Sequence, residues 1–183
     1  RHPLYEAGKS ISQFLFKDNR SMLNPWMRGE TTTGKVLDAI GRGTGIPKEV
    51  MEKELAESCR NMRFAFEELP GLIGDLKRQG IRCIVATDNM DTFREYTIPG
   101  MKLTELFDDF LISCELGTLK FDVDKEKGTI PFFDPFLSRE CLNYEDVVLL
   151  DDCVDGGFYA EKGFRIAQVN GPEELREQIR QLM

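Results

Sequence analysis

The sequence predicts an α/β fold in which a doubly wound, mostly parallel, Rossmann-like sheet follows an N-terminal helical cap. From Pro70 onward, short apolar runs of strand length alternate with helical patterns, which is the order that a parallel sheet with helical crossovers requires. Residues 1–68 carry helical patterns and no clear strand. We therefore expect a helical cap over 1–68 and an α/β core over 69–183.

The expected core elements follow one another in a regular order. A helix that begins near Pro70 should end at Gly80, because glycine is typical of a helix end. Four apolar runs of strand length are expected to form the sheet, and they cover 81–86, 110–113, 147–150 and 164–169. Helical turns are expected at 103–107 and 156–162, and Pro172 should begin the last helix.

Two polar, glycine-containing breaks divide the expected cap, at 28–34 and 41–47. The second break contains the letters Gly-Arg-Gly-Thr-Gly, which have the spacing of a dinucleotide-binding loop. It follows a helical pattern rather than a strand, whereas a dinucleotide loop follows a strand. We therefore expect a linker at 41–45.

Composition narrows the class of function. The 183 residues carry 24 basic and 32 acidic side chains, and the net charge of −8 disfavours nucleic acid as a partner. No apolar run approaches the roughly 20 residues of a membrane span, and five cysteines without a CxxC pair are typical of reduced thiols. His2 is the only histidine, which disfavours histidine-based catalysis. We expect a cytoplasmic protein with a small-molecule partner and no membrane contact, of unknown oligomeric state.

The expected strand at 147–150 ends in two adjacent carboxylates, Asp151 and Asp152. Ligands of open α/β sheets bind outside the carboxyl ends of the strands. Neighbouring carboxylates repel each other, and a hard, oxygen-seeking ion such as Mg²⁺ relieves that repulsion. The acidic pair therefore indicates a cation site, although Asp152 or Asp155 would also suit the cap of the next helix.

A hydroxyl and an ammonium group follow the earlier strands. Thr87 comes directly after the strand at 81–86, and Lys120 comes shortly after the strand at 110–113. Together with the acidic pair they describe a phosphate site, in which the lysine neutralises the phosphoryl group, the hydroxyl orients it and the acids hold Mg²⁺. Taken singly, Thr87 would suit a turn cap and Lys120 an exposed surface position.

These segments resemble three motifs of the haloacid dehalogenase (HAD) superfamily of phosphohydrolases, in the branch with a small helical (C1-type) cap. Ile84–Asn89 is similar to the second motif of that family, Gly117–Asp122 to the third and Val147–Asp155 to the fourth. Met27–Thr31 is similar to a cap segment of the sugar-phosphate phosphatases. The resemblance covers nearly the whole chain and implies a HAD-like core with a helical cap.

The resemblance also implies roles for the matched residues. It assigns phosphate binding to Thr87, Asp88 and Lys120, and Mg²⁺ binding to Asp151, Asp152 and Asp155. Thr87 and Lys120 would take part in catalysis, with Lys120 stabilising an aspartyl-phosphate. Asp88 stands where many relatives have asparagine, which adds a negative charge near the phosphate. The implied activity is Mg²⁺-dependent hydrolysis of a small phosphorylated metabolite, whose identity no pattern in the sequence encodes.

The family's nucleophile motif, DxDx(T/V) at the end of a first strand, has no match in the chain. Arg1–Tyr5 resemble the residues that follow that motif, so we expect the first strand, which would be the central member of the sheet, to precede Arg1. The alternative is a catalytically inactive HAD-like module with a binding or regulatory role. Dehalogenation is disfavoured because that branch needs no acidic pair.

Two further patterns are set aside. Phe121–Asp124 contains the letters DxD, but it follows Lys120 rather than an apolar strand, and residues 125–127 are expected to form a solvated turn. We therefore do not expect the nucleophile there. A phosphoacceptor receiver domain also uses paired acids, a hydroxyl and a lysine. Its acids come first in the chain and its lysine last, which is the reverse of the order in this sequence.

Overall fold

The computed structural model describes residues 5–153 and 157–183. The α-helices are, in chain order, Tyr5–Gln13 (α1), Leu23–Met27 (α2), Thr33–Thr44 (α3), Lys48–Arg60 (α4), Leu69–Arg78 (α5), Ile98–Gly100 (α6), Leu103–Leu106 (α7), Ser113–Leu116 (α8), Asp134–Glu140 (α9), Phe158–Glu161 (α10) and Pro172–Gln181 (α11). The strands are Ile84–Thr87 (β1), Asp109–Ile112 (β2), Val148–Asp151 (β3) and Arg165–Gln168 (β4). None of the helices in these ranges has the length and apolar character needed to cross a membrane.

The strands confirm the predicted α/β class. β3 and β4 run parallel and in register, with Val148 beside Arg165 and Asp151 beside Gln168. β1 pairs with β2, and within the described residues no ladder joins the two pairs of strands. Every strand begins within three residues of its predicted position.

The chain divides into two compact units, each described by itself. The described parts of Arg1–Met62, Ala86–Thr104 and Leu111–Leu119 form the first unit. The second unit comprises Arg63–Val85, Glu105–Phe110 and the described parts of Lys120–Met183. The boundary falls within β1 and within β2. The expected division into a cap over 1–68 and a core over 69–183 stays a prediction.

One hydrophobic cluster of the first unit is built from its N-terminal helices. Its buried members are Leu15, Trp26, Val36, Leu37, Ile40 and Met51. α3 supplies three of them from one face, and each fully buried aliphatic side chain contributes about 1.5–3 kcal/mol. The hydroxyl of Thr32 accepts a hydrogen bond from the Lys35 N–H (3.4 Å), which places the start of α3 directly after Thr32.

The predicted linker at 41–45 is wrong, because this stretch is the end of α3. Gly45 ends the helix with φ +74°, and its N–H donates to the Gly41 carbonyl (2.8 Å). Gly43 lies against Phe14, where an added Cβ would stand 2.1 Å from the ring. The glycines that led us to predict a linker therefore allow close packing and a left-handed helix end.

One hydrophobic cluster of the second unit lies between α5 and α11. Its buried members are Phe66, Leu72, Ile73, Leu76, Cys83 and Ile179. The guanidinium carbon of Arg176, on α11, lies 4.7 Å from the centroid of the Phe66 ring. This cation–π contact extends the apolar packing between the two helices.

β1 begins later than predicted because the end of α5 uses the residues in front of it. Gly80 has φ +83°, and the Ile81 N–H donates back to the Leu76 carbonyl (3.1 Å). Cys83 N–H then donates to the Asp108 carboxylate (2.8 Å), and Asp108 N–H donates to the Cys83 carbonyl (2.8 Å). The segment 81–83 is therefore held by a helix end and a side chain rather than by a strand partner.

Candidate metal and phosphate site

Asp151 is the last residue of β3 and lies at the carboxyl end of that strand. Its side chain is only 5% exposed. The Oδ2 atom pairs with the Lys120 ammonium, and the Oδ1 atom accepts a hydrogen bond from the Cys153 backbone N–H (2.9 Å). A carboxylate has about four lone-pair positions, so Asp151 keeps the capacity to bind a cation as well.

Lys120 lies in the turn that follows α8, and its side chain is 14% exposed. The alternative expectation, that Lys120 is an ordinary exposed surface lysine, is therefore wrong. Its backbone carbonyl accepts a hydrogen bond from the Tyr159 hydroxyl, and its ammonium lies 5.7 Å from the centroid of the Phe121 ring. The fold brings Lys120 to Asp151 across 31 residues of sequence, so the lysine and the acid that were predicted to share a site are in contact.

Asp152 and Cys153 extend this site to the surface. Both residues are exposed, and one ligand atom from each lies within 4.8 Å of the other and of an Asp151 oxygen. Carboxylate oxygens suit a hard ion such as Mg²⁺, whereas a thiolate is a soft ligand that Mg²⁺ does not prefer. The donor set therefore fits a divalent cation held by Asp151 and Asp152.

Asp155, the third acid expected at the metal, lies outside the described residues. α10 begins after Gly157, and none of the side chains that the structure describes caps its first turn. The alternative expectation, that Asp152 caps the next helix, is therefore wrong. Gln168 of β4 instead donates a side-chain hydrogen bond to the Asp152 carbonyl (3.2 Å), which fixes the backbone beside the acidic pair.

Thr87 ends β1, and Asp88 follows it. Both side chains are half-buried. They belong to the first unit, whereas Lys120 and Asp151 belong to the second. The role expected for Thr87 and Asp88 in binding phosphate stays a prediction.

A buried serine, which the sequence analysis missed, holds the loop after β1. Ser113 is fully buried at the start of α8, directly after β2. Its hydroxyl accepts a hydrogen bond from the Asn89 N–H (2.9 Å) and donates to the Asn89 carbonyl (3.2 Å). Ser113 therefore ties together the segments that leave the two strands, and its position directly after a strand was the only signal in the sequence.

A second missed residue, Asp91, anchors the segment that leads into α3. Its carboxylate accepts hydrogen bonds from the Thr33 N–H (3.1 Å), the Thr33 hydroxyl and the Trp26 indole N–H (3.4 Å). It also accepts one from the Thr92 N–H (3.1 Å). We call Asp91, Trp26 and Thr33 the Asp91 clasp, and its donors are all neutral groups.

Gly29 lies in the segment Met27–Thr31, whose sequence resembles a cap segment of sugar-phosphate phosphatases. It has φ +70°, and an added Cβ would stand 2.2 Å from the Cys114 carbonyl oxygen. Only glycine combines this left-handed conformation with so close an approach to another backbone. Gly29 and the Asp91 clasp together fix the conformation of this segment within the first unit.

Comparison with known sequences gives little direct information. No protein-family model matches the chain. The chain is 24% identical over 120 residues to tRNA pseudouridine synthase B of Syntrophotalea carbinolica, an alignment that covers 65% of this chain. It spans only 38% of the length of that curated relative, and this identity is too low to assign a family.

Comparison with solved structures is more informative. A HAD family enzyme from Bacteroides thetaiotaomicron, solved as a magnesium complex, matches 98% of this chain and 90% of its own with a TM-score of 0.69 and 14% identity. A predicted HAD-like family hydrolase from Porphyromonas gingivalis matches 86% of this chain and 77% of its own, with a TM-score of 0.64 and 15% identity. An aspartate-to-alanine variant of the Bacteroides enzyme, with magnesium and inorganic phosphate, matches 89% of this chain and 84% of its own, with a TM-score of 0.64 and 12% identity. At such identities the likeness concerns the fold, and the chain has the fold of the haloacid dehalogenase superfamily.

Proposed function

We propose that the chain acts as a Mg²⁺-dependent phosphatase of the HAD type, which hydrolyses the phosphomonoester of a small metabolite through an aspartyl-phosphate. The observation that carries this proposal is the shielded ion pair between Lys120 and Asp151 at the end of β3, with Asp152 beside it. The HAD fold supports hydrolase chemistry, and a structural neighbour was solved with magnesium and inorganic phosphate. As the resemblance implies, the nucleophile would be an aspartate of a DxDx(T/V) motif.

The Lys120–Asp151 pair is poorly explained as a stabilising element. Taking two ions out of water costs several kcal/mol per ion, and their attraction often only balances that cost. A packed pair of apolar side chains would stabilise the fold at least as well. A shielded ion pair at the sheet edge where ligands bind is therefore better explained by function.

Three groups of the chain would act on the phosphate itself. The Lys120 ammonium would offset negative charge on the phosphoryl oxygens as it develops in the transition state. The Thr87 hydroxyl would donate a hydrogen bond to a phosphate oxygen. Because the Asp88 carboxylate would repel phosphate, we assign the contact at this position to its backbone N–H.

Asp151 and Asp152 would hold the Mg²⁺, with Asp155 as the expected third acid. When bound, the ion would polarise the phosphate oxygens and offset part of their charge. The chain contributes a carboxylate whose orientation is already set, because Lys120 and the Cys153 N–H both contact Asp151. This preorganisation reduces the cost of arranging ligands around an ion.

The test uses the protein as expressed from its native gene. Intact mass and N-terminal sequencing, compared with the 21.0 kDa of residues 1–183, establish whether a segment that contains DxD precedes Arg1. Phosphate release is then measured on a panel of small phosphomonoesters, with Mg²⁺ and after chelation. We expect release to require Mg²⁺, and Asp152→Asn to lower it by about 100-fold.

Asp124→Asn is the matched control for Asp152→Asn. Asp124 belongs to the DxD letters that the sequence analysis set aside, and it accepts a hydrogen bond from the Lys127 N–H (3.0 Å) in an exposed turn. Its replacement should leave phosphate release unchanged. A nearly full rate from Asp152→Asn, or from protein stripped of metal, would contradict the proposed function.

An inactive HAD-like binding or regulatory module is the second candidate, because residues 1–183 contain no DxDx(T/V) motif after a strand. A native reading frame without an Asp-containing first strand would favour this candidate. The protein would then bind Mg²⁺ and inorganic phosphate without turnover. We do not propose tRNA modification, because the net charge of −8 opposes binding to a polyanion.

A further inference from the structure

We propose that Tyr159 is a positioning residue for Lys120, which it holds through the backbone of the turn that carries the lysine. Both residues belong to the second unit. The Tyr159 hydroxyl donates a hydrogen bond to the Lys120 carbonyl oxygen across 39 residues of sequence. The catalytic part of this inference rests on the proposed phosphatase function, whereas the positional part does not.

Tyr159 has a fixed place in the structure. It lies on α10 and is fully buried. Its ring meets Phe121 edge to face at a centroid distance of 5.4 Å, and it contacts Phe133 and Phe164 at 6.0 and 5.2 Å. A tyrosine ring enclosed by three aromatic rings has few alternative positions, so its hydroxyl is a rigid hydrogen-bond donor.

Tyr159 connects the turn at Lys120 to the aromatic cluster. Lys120 follows α8 in a turn that belongs to neither a helix nor a strand. Tyr159 contacts the turn twice, through its hydroxyl at the Lys120 carbonyl and through its ring at Phe121.

The backbone anchor determines how the Lys120 ammonium reaches Asp151. A lysine side chain is flexible, so the position of its ammonium depends on a fixed Cα and a fixed partner. β3 fixes the position of Asp151, and Tyr159 fixes the backbone of Lys120 at the other end of the ion pair. Loss of the Tyr159 hydroxyl should therefore loosen the Lys120–Asp151 pair.

Tyr159→Phe tests this inference, and Tyr144→Phe is its matched control. Each change removes one hydroxyl and leaves the ring in place. Tyr144 belongs to the same aromatic cluster, since its ring lies 5.1 Å from that of Phe164, but its hydroxyl donates to the Asp134 carboxylate instead. Only the first variant removes a contact with the backbone of Lys120.

The first measurement does not depend on catalysis. The full native protein and both variants are treated with a limiting amount of an acetylating reagent at one fixed pH, and each lysine is quantified by mass spectrometry. We expect Tyr159→Phe to raise the acetylation rate of Lys120 about two- to tenfold, as the loss of one hydrogen bond predicts. Lys77 and Lys127 serve as internal references, and Tyr144→Phe should leave Lys120 at the wild-type rate.

The second measurement separates positioning from general structural support. Because Lys120 is proposed to act on the transition state, Tyr159→Phe should lower kcat by about 10- to 100-fold and leave KM near the wild-type value. Tyr144→Phe should change neither constant. If the wild-type protein releases no phosphate, the proposed function fails, and the acetylation rates still decide the role of Tyr159.

Two outcomes would overturn the inference. The first is a Lys120 acetylation rate in Tyr159→Phe equal to that of Tyr144→Phe and of the wild type. The second is a Tyr159→Phe protein that is unfolded by circular dichroism while Tyr144→Phe is folded, since Tyr159 would then be a structural residue and not a positioning one.

Discussion

Asp91, which is half-buried, and Asp151, which is buried, are two aspartates with different kinds of partner. In the first unit, Asp91 accepts hydrogen bonds from neutral groups of Trp26, Thr33 and Thr92. In the second unit, Asp151 pairs with the ammonium of Lys120. The neutral donors add little desolvation cost of their own, whereas the shielded ammonium adds the cost of a second charge. The comparison favours a structural role for Asp91 and is consistent with the role that we propose for Asp151.

The residues next to the two carboxylates also differ. Asp91 is followed by the buried Thr92 and contacts the buried Trp26. Asp151 is followed by Asp152 and Cys153, which are exposed and offer two more ligand atoms. Among the described residues, the group at Asp151 is the one in which three such side chains lie close enough to bind an ion together.

Loss of Lys120 alone should be the most destabilising change. Lys120→Met leaves the shielded Asp151 carboxylate without its ammonium, which should cost about 3–5 kcal/mol in the free energy of unfolding. The measurement is urea unfolding in metal-free buffer. Lys77→Met is the control, because Lys77 and its partner Asp108 keep 33% and 26% of their side chains exposed, and this pair should contribute only about 1 kcal/mol or less.

The double variant Lys120→Met/Asp151→Leu turns this prediction into a test of function. With both charges gone, most of the lost stability should return, while phosphate release should be absent. A double variant as unstable as the single one would show that the pair is needed for folding, and Asp151 would then resemble Asp91.

Gly29→Ala should lower the free energy of unfolding somewhat less than Lys120→Met does. The new Cβ would stand 2.2 Å from the Cys114 carbonyl oxygen, at a residue with φ +70°, so strain and overpacking should together lower the free energy of unfolding by about 2–4 kcal/mol. Gly71→Ala is the matched control, because an added Cβ there meets nothing within 4 Å and α5 should gain up to about 1 kcal/mol. Equal stability of the two variants, measured by urea unfolding, would show that the segment Met27–Thr31 is not held at Gly29.

Asp91→Asn should have a smaller effect, confined to stability. The amide places a donor where the Asp91 clasp needs acceptors, so we expect a loss of about 1–3 kcal/mol. Mg²⁺ affinity, measured by isothermal titration calorimetry, should stay at the wild-type value. Asp75→Asn, which affects an exposed pair with Arg78 within α5, is the control and should cost well under about 1 kcal/mol. A change in Mg²⁺ affinity without a loss of stability would reverse the roles of Asp91 and Asp151.

The sequence predicted the elements whose signals are local. β3 and α11 begin close to their predicted positions because an apolar run and Pro172 mark them. The rule that ligands bind at the carboxyl ends of parallel strands led us to expect Lys120 near Asp151, and the two side chains are in contact. Their shared role in a phosphate site stays a prediction. The predicted start of β1 was less accurate, because the Cys83 N–H donates its hydrogen bond to the side chain of Asp108, 25 residues away.

The residues that sequence analysis missed act through contacts between distant parts of the chain. Ser113 contacts Asn89 across 24 residues, and Asp91 contacts Thr33 across 58. Tyr159 contacts Lys120 across 39. Serine, aspartate and tyrosine are all common in loops and helices, so no local pattern distinguishes these three from others of their kind. Only the fold shows which backbone each of them holds.

Replacement of Asp108 should have the smallest effect on the free energy of unfolding. Asp108 has both a charged and a neutral partner, so the pH dependence of its contribution tests the comparison. Its carboxylate pairs with the Lys77 ammonium (2.7 Å) and accepts a hydrogen bond from the Cys83 N–H (2.8 Å). Burial raises the pKa of Asp108, but these two hydrogen bonds outweigh burial and hold the pKa below its ordinary value. The stability that Asp108 contributes is therefore fully present above the ordinary aspartate pKa of about 4, and it is lost as pH falls through the lower folded pKa. Asp108→Asn should be less stable than the wild type at neutral pH, and the difference should shrink below about pH 4. Urea unfolding at a series of acidic pH values measures it, and a difference that stays constant with pH would show that the Asp108 carboxylate contributes through packing rather than charge.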